Sequence, residues 1–292
     1  MLVTPTRNVD RLRLRKEFDL LEIAVSNLRG TPGPGHLRLT AYLQWVATTA
    51  RQLRPIIRTD DIDRLLFTQH YKALLELAGT KVPLTEQGIV NDLLALELDA
   101  LETSIRNAAD AVARLIERWL DPAVFIACDA NFFLHHGREL GFINFHDMIK
   151  EAGGYTDLVG NQNRVNLLVP SRVIYELDKG KTHSNKEVRK KARRALITID
   201  DWFEDPQKVH WEEPRKTTSP WPDVFSAELL LDPIGHLPMP SPDDEIIDRI
   251  LAVEPFAARR VTLITYDTNM ATRARATGLK VIKLKHLPED AA

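Results

Sequence analysis

A chain of 292 residues with 44% hydrophobic and 27% charged side chains can bury a substantial core, and its length suggests about two domains. The net charge of −2 gives no overall sign of nucleic-acid binding. No apolar run approaches the roughly 18 residues of a membrane span, and the N-terminal residues lack the apolar core of a signal peptide. We therefore expect a cytoplasmic protein with no membrane partner. The single cysteine, Cys128, excludes an intramolecular disulfide and a cysteine-rich zinc site.

The first part of the chain has apolar residues at helical spacing as far as Leu120. This predicts an all-α N-terminal domain over residues 1–121, with helices at about 8–29, 37–53, 60–78 and 85–120. The last helix carries a heptad seam, formed by Leu94, Leu98, Leu101, Ile105, Ala108, Val112, Leu115 and Trp119. The seam suits packing against the other helices of the domain, or a homodimer through the 85–120 helix, and the sequence leaves both open.

After Asp121-Pro122 the pattern changes to short apolar runs at 124–128, 165–169, 261–265 and 281–284, which alternate with helical segments. Runs of this kind are typical of a parallel sheet that is covered on both faces. We therefore predict an α/β domain over residues 122–292. The proline-rich stretch 211–242 has weak periodicity, which predicts a long surface excursion.

Four acidic residues stand at the ends of apolar runs or at the start of a helix, widely separated in sequence: Asp129, Glu176, Asp244 and Asp267. Taken singly, each could end a strand or complement a helix dipole. In open α/β sheets, however, ligands bind outside the carboxyl ends of the strands. Carboxylates gathered there repel one another unless a cation lies between them. The pattern predicts one metal site assembled from four segments.

The same segments resemble the motifs of PIN-domain nucleases, in the same order: DANFFLH, VPSRVIYELDKGK, SPDDEIIDRIL and TLITYDTNMATRARATGLKVIKL. The resemblance covers about residues 124–286 and leaves the N-terminal helices unrecognised. It implies a three-layer α/β/α fold with a central parallel sheet, and an endoribonuclease site. The catalytic and metal-binding residues that it implies are Asp129, Glu176, Asp244 and Asp267. It implies supporting roles for Asn131, Thr265, Asn269 and Asp243, with Asp244 preferred over Asp243 by its place in the motif.

The chemistry of the residues fits this resemblance. Hydrolysis of a phosphodiester needs an activated water and neutralised charge on the phosphate, and divalent cations held by carboxylates supply both. Oxygen ligands favour hard ions, and the sequence has no Cys/His cluster for zinc. We therefore expect Mg²⁺ or Mn²⁺ as the cofactor. His135 and His136 follow Asp129, but their position about two helical turns away favours a surface or substrate-edge role.

A basic segment follows Glu176 and is typical of a phosphate-binding surface. If residues 186–203 are helical, Val188, Ala192, Ala195 and Ile199 form an apolar face and the cations project elsewhere. The candidate RNA-binding residues are Lys179, Lys181, Lys186, Arg189, Lys190, Arg193 and Arg194. An ordinary solvated helix face is the alternative. Four nearby aromatic residues could stack single-stranded bases: Tyr155, Tyr175, Trp211 and Trp221.

Three other functions compete with a metal-dependent endoribonuclease acting on single-stranded or structured RNA. An aspartyl phosphatase calls for a second acid two residues after Asp129, where this chain has Asn131. A catalytically silent PIN-like module would bind RNA or a protein without cutting. A structure-specific DNA nuclease would need a DNA-binding arch or hairpin, which the sequence does not show. Resemblance to PIN toxins also raises a protein inhibitor as a partner.

Overall fold

The computed structural model describes residues 3–7, 9–79, 87–137, 140, 143–151, 164–212, 224–232 and 236–285. The chain divides into two compact units. One comprises Met1–Leu120 with Pro255–Ala258, and the other comprises Asp121–Glu254 with Arg259–Ala292. A helix able to span a bilayer, with the length and apolar character that this requires, does not occur among these described ranges.

The first unit is helical, as the sequence predicts. Its helices are α1 (Arg11–Arg29), α2 (Gly35–Leu53), α3 (Thr59–Leu66), α4 (Gln69–Ala78) and α5 (Gln87–Arg118). The single helix predicted over 60–78 is wrong, because Thr68 interrupts it. The side chain of Thr68 accepts the backbone N–H of Tyr71 and caps a new helix there.

The heptad seam of α5 faces the interior of this unit. Helix α5 packs against α1, α2, α3 and α4. All the seam residues except Leu115 are buried. The packing of this seam within the unit accounts for its apolar pattern without a second copy of the chain, so a homodimer through α5 would have to use another face of the helix.

A buried carboxylate joins three of these helices. Glu97 of α5 is fully buried, and its Oε1 accepts the hydroxyl groups of Tyr42 on α2 and Thr68 at the start of α4, each at 2.7 Å. His70 approaches the other oxygen of Glu97, with Nδ1 at 3.3 Å. Burial and the neighbouring Glu97 raise the pKa of Tyr42 above its ordinary range, so this hydroxyl stays a donor.

In the second unit, the described residues form a six-stranded sheet in the order β3-β4-β2-β1-β5-β6. The strands are β1 (Val124–Cys128), β2 (Arg164–Pro170), β3 (His210–Glu212), β4 (Val224–Leu230), β5 (Val261–Thr265) and β6 (Lys280–Lys283). All neighbouring strands are parallel except β3, which pairs antiparallel with β4 at the edge. The central strands β1 and β5 are buried along their full length, as their continuous apolar runs predict.

The stretch 211–242 is more than the surface excursion that its composition predicts, because it contains β4. The polar residues Ser226 and Glu228 conceal this strand in the sequence, yet both are fully buried. Glu228 accepts a hydrogen bond from the side-chain amide of Asn166 on the neighbouring strand β2. The buried acid is therefore accommodated by a partner that lies far away in the chain.

Helices alternate with the strands of this mostly parallel sheet, so the predicted α/β fold class is confirmed. They are α6 (Ala130–His136), α7 (Phe145–Glu151), α8 (Ser171–Gly180), α9 (Lys186–Trp202), α10 (Pro242–Ala257) and α11 (Thr268–Ala276). Helices α6, α8 and α11 pack against the strands, and α9 packs against α6 and α8. Helices α6, α8 and α11 each begin directly or within three residues after a parallel strand. The residues at these strand-to-helix junctions therefore lie at the carboxyl edge of the sheet, where ligands bind in such folds.

Candidate functional site

Asp129 lies at the junction of β1 and α6 and is only 5% exposed. It is the N-cap of α6, where its Oδ1 accepts the backbone N–H of Phe132 at 2.8 Å, and its other oxygen accepts the hydroxyl of Thr265. Burial raises the pKa of Asp129, and the charges of Asp267 and Asp243 add to this rise. The two hydrogen bonds act in the opposite direction. The carboxylate is therefore held firmly in place at an electrostatic cost.

Asp267 occupies the matching position after β5, at the N-cap of α11. Strands β1 and β5 are parallel neighbours, so their ends deliver Asp129 and Asp267 to the same edge. Thr265 connects the two residues: it donates its hydroxyl to Asp129 and accepts the backbone N–H of Asp267 at 2.9 Å. The side chain of Asp267 is exposed and accepts the N–H of Met270. The supporting role predicted for Thr265 thus has a geometric basis.

Glu176 approaches the site from α8 and is partly buried. Burial raises the pKa of Glu176, and the charges of Asp243 and Asp129 raise it further. The positive charges of Arg172 and Lys179 on the same helix lower it. Glu176 is therefore within electrostatic reach of two acids from other segments and of two cations from its own helix.

Asp243 and Asp244 share the first turn of α10 but face different neighbours. Burial raises the pKa of Asp243, and Asp267 and Asp244 add to the rise, while Arg273 lowers it. Asp244 instead forms an ion pair with Arg273 of α11. Asp243 thus interacts electrostatically with Glu176 and Asp267, and it also raises the pKa of Asp129. Asp244, the residue preferred from the motif, forms an ion pair with Arg273, whose charge also acts on Asp243.

Of the other predicted supporting residues, Asn269 donates to Asp243 at 3.5 Å, and Asn131 is exposed on α6. Sequence reasoning missed Arg273. Its signal was the basic character of the TRARA segment, which lies one to two turns after Asp267 on the helix that Asp267 caps. At this position Arg273 can pair with an acid in the first turn of α10, and its partner is Asp244.

The four grouped acids suit a hard divalent cation in their chemistry. They offer only carboxylate oxygens, and burial and mutual repulsion raise the pKa of three of them: Asp129, Glu176 and Asp243. A cation would relieve that repulsion. Among the described residues, no three of these acids place one oxygen each within 4.8 Å of one another. Such an open arrangement fits Mg²⁺, which usually keeps several waters and binds through one or two carboxylates together with substrate phosphates.

A tighter cluster lies nearby and already contains a cation. Asp232, His236 and Glu245 place one oxygen or nitrogen each within 4.8 Å of one another. The buried Arg249 lies 4.0 Å from both carboxylates, and Glu245 also accepts the N–H of Met239 at 2.6 Å. We therefore assign this cluster to structure: it fastens the residues before α10 to the first turn of the helix that carries Asp243.

His136 does not provide a base for the site. It is buried against Phe132, and its Nε2 lies 2.9 Å from the hydroxyl of Tyr266, the residue before Asp267. Burial, with a smaller effect from His135, lowers the pKa of His136 to about 4. The imidazole is therefore neutral at neutral pH and supports the β5–α11 junction through Tyr266.

The basic segment forms α8, α9 and the turn between them. On α9, Ala192, Ala195 and Ile199 are buried, as predicted, and Val188 of the same predicted face is only partly buried. The cations Lys186, Lys190 and Arg193 are exposed. Two other candidates are engaged within the chain. Lys181 pairs with Asp178, and Arg189 donates to the carbonyl oxygens of His183 and Ser184, each at 2.7 Å. Tyr155 and Trp221 lie outside the described residues.

A profile of the PIN-domain family matches residues 126–285. This match covers more than half of the chain and includes all four motifs on which the resemblance was based. It confirms the resemblance for the second unit. Comparison with the curated proteins returns no match.

Proposed function

The chain belongs to the PIN-domain family, and from that premise we propose that it is a metal-dependent endoribonuclease that hydrolyses phosphodiester bonds in single-stranded or structured RNA. The observation that carries the proposal is the grouping of Asp129, Glu176, Asp243 and Asp267 at the carboxyl edge of the sheet. Members of this group perturb one another's pKa, although they come from four separate segments.

In this proposal Asp129, Asp243 and Asp267 hold Mg²⁺ or Mn²⁺, and Glu176 completes the group from α8. When bound, such an ion activates water and neutralises charge on the scissile phosphate. The protein contributes orientation: Thr265 fixes one oxygen of Asp129, and the backbone amides of α6 and α11 fix one oxygen each of Asp129 and Asp267. Held in this way, the carboxylates need little rearrangement when substrate binds.

The cations of α8 and α9 supply the second requirement, which is attraction of a polyanion toward a negatively charged site. Lys179, Lys186, Lys190, Arg193 and Arg194 follow Glu176 directly in the chain. Positive charge beside the acids offsets their repulsion of phosphate, and contacts with the backbone dominate affinity for nucleic acids. We propose that these cations contact RNA, and that Lys181 and Arg189 chiefly order the turn between the two helices.

The test is cleavage of labelled single-stranded RNA and DNA with Mg²⁺ or Mn²⁺, comparing the wild type with Asp129→Asn and Asp267→Asn. Asparagine keeps a side-chain oxygen for each helix cap while it removes the charge, so the variants should fold and fail to cut. Equal cutting by variants and wild type would contradict the site. RNA binding without cutting by the wild type would instead indicate a silent module, and a preference for DNA would indicate a DNA nuclease.

A further inference from the structure

An exposed tyrosine on α8 holds two cations beside the acids. Tyr175 is 49% exposed. The guanidinium carbon of Arg172 lies 4.8 Å from the centroid of its ring, and Nζ of Lys179 lies 4.7 Å from it. Arg172, Tyr175, Glu176 and Lys179 follow the spacing i, i+3, i+4, i+7, which brings residues to one face of a helix. The two cations therefore share a helix face with Glu176.

These cations differ from their neighbours in what they contact. Lys181 has a carboxylate partner in Asp178. Over the residues that the structure describes, neither Arg172 nor Lys179 lies within 4.0 Å of a carboxylate oxygen, and both contact the ring instead. An exposed cation–π contact is weak. A phosphate can therefore recruit these cations without first breaking an ion pair.

We propose that Arg172, Tyr175 and Lys179 form a subsite for the phosphodiester backbone of single-stranded RNA next to the bond that is cut. The proposal rests on the proposed endoribonuclease function and names residues that recognise its substrate. The ring keeps both long side chains near Glu176, so they lose less freedom on binding than cations that extend into solvent. The subsite thus brings a phosphate to the edge of an acidic group that would otherwise repel it.

The test measures RNA affinity in the Asp129→Asn background, in which bound RNA stays intact. Fluorescence anisotropy with a short labelled oligouridylate gives Kd over a series of KCl concentrations. Arg172→Gln and Lys179→Gln should each raise Kd severalfold and flatten the slope of log Kd against log salt by about 0.7 per lost phosphate contact. Lys208→Gln is the matched control, because it also removes one charge but from a lysine paired with Asp205 at 3.2 Å.

Tyr175 provides a second readout, since it carries no charge. Tyr175→Leu should raise Kd while the salt slope stays near that of the parent, because both cations remain but are no longer held. Tyr175→Phe keeps the ring and should raise Kd less than Tyr175→Leu. A larger rise in Kd for Tyr175→Leu than for Tyr175→Phe would show that the ring positions the cations. A general effect of substitution on α8 would raise Kd equally in both variants.

Three outcomes would overturn the subsite: no detectable RNA binding, unchanged Kd and slope in Arg172→Gln and Lys179→Gln, or an equal loss of affinity in Lys208→Gln. Tighter binding of single-stranded DNA of matching sequence would overturn its assignment to RNA. Absence of cleavage by the wild type, with the binding changes present, would overturn the endoribonuclease function and support the subsite as a binding site.

Discussion

Asp243 and Asp244 are neighbours in the chain with different surroundings. Asp243 shares the site with Asp129, Glu176 and Asp267, whereas Asp244 is paired with Arg273. A side chain that is already bound to a guanidinium is a poor ligand for a cation, because the two positive charges compete for the same oxygens. This difference makes the assignment of the third acid testable residue by residue.

We expect Asp243→Asn to lower the cleavage rate by more than about 100-fold, which exceeds the usual effect of residues that only support metal ligands. Asp244→Asn should lower it by about tenfold or less, because it disturbs Arg273 and leaves the proposed ligands in place. Single-turnover rates at saturating Mn²⁺ check both values. A larger effect at Asp244 than at Asp243 would return the ligand role to Asp244.

The sequence motif locates this pair and favours Asp244, whereas the contacts in the structure lead us to propose Asp243 as the ligand. Both residues follow the same Ser-Pro helix start, and one helical position separates them. The choice depends on Arg273, which a different helix brings to Asp244. The spacing of a motif describes one segment of the chain, so it does not predict an ion pair between two segments.

At the scale of elements, the carboxylate of Glu97 connects α2, α4 and α5 inside the helical unit. The hydroxyl groups of Tyr42 and Thr68 donate to the same buried oxygen. A buried acceptor that loses a donor keeps its desolvation penalty without compensation. Hydrogen bonding to this one side chain therefore contributes to the packing of three helices.

We expect Tyr42→Phe to lower the free energy of unfolding of the helical unit by about 1–3 kcal/mol, because it leaves Glu97 with one donor fewer. Tyr71→Phe is the matched control, since the ring of Tyr71 packs against Tyr42 and Phe67. Its hydroxyl group has no hydrogen bond to any residue in the described part of the chain, so the change should stay within about 0.5 kcal/mol. Urea denaturation followed by circular dichroism compares the two variants. Equal losses would show that packing of the ring, and not the bond to Glu97, is responsible.

The spacing of apolar residues predicted those helices and strands whose buried face consists of apolar side chains. It predicted four of the six strands in the described part of the chain, because each is a short apolar run. It also predicted the basic helix α9, because its apolar face repeats at helical spacing. It missed β4, whose buried Glu228 is accommodated by Asn166 of another strand. It also missed the break at Thr68. It missed the short edge strand β3 as well. Glu228 has its partner on another strand, and Thr68 combines a local cap on Tyr71 with a hydrogen bond to the distant Glu97.

At the scale of the whole molecule, the acid group makes the second unit sensitive to pH. The pKa values of Asp129, Glu176 and Asp243 are raised, chiefly by burial, so the folded state binds protons more tightly than the unfolded state. Through these groups, stability falls as pH rises from the unfolded carboxyl pKa of about 4 through the raised folded values. At neutral pH, without a bound cation, we therefore expect these partly compensated charges to lower the stability of the fold.

We expect Asp129→Asn to be more stable than the wild type in chelator at neutral pH, with an advantage that shrinks as pH falls toward about 4. Saturating Mg²⁺ should make the wild type the more stable protein. An ion at 100 times its Kd stabilises the protein that binds it by about 2.7 kcal/mol, and the variant lacks one of the proposed ligands. Thermal unfolding with and without Mg²⁺ at several pH values measures this. If the wild type is more stable than Asp129→Asn in chelator at neutral pH, the charge of Asp129 does not destabilise the fold and the prediction is wrong.

The double use of Asp129 and Asp267, each as a helix cap and as a proposed metal ligand, has a consequence for sequence drift. Asparagine, serine and threonine also cap helices, and none of them carries the charge that a metal ligand needs here. In a lineage that does not depend on the proposed cleavage, a single nucleotide change to asparagine at either position can therefore remove the charge and keep the helix cap. We expect inactive descendants of this chain to carry small polar residues at 129 and 267, so that loss of activity comes before loss of structure.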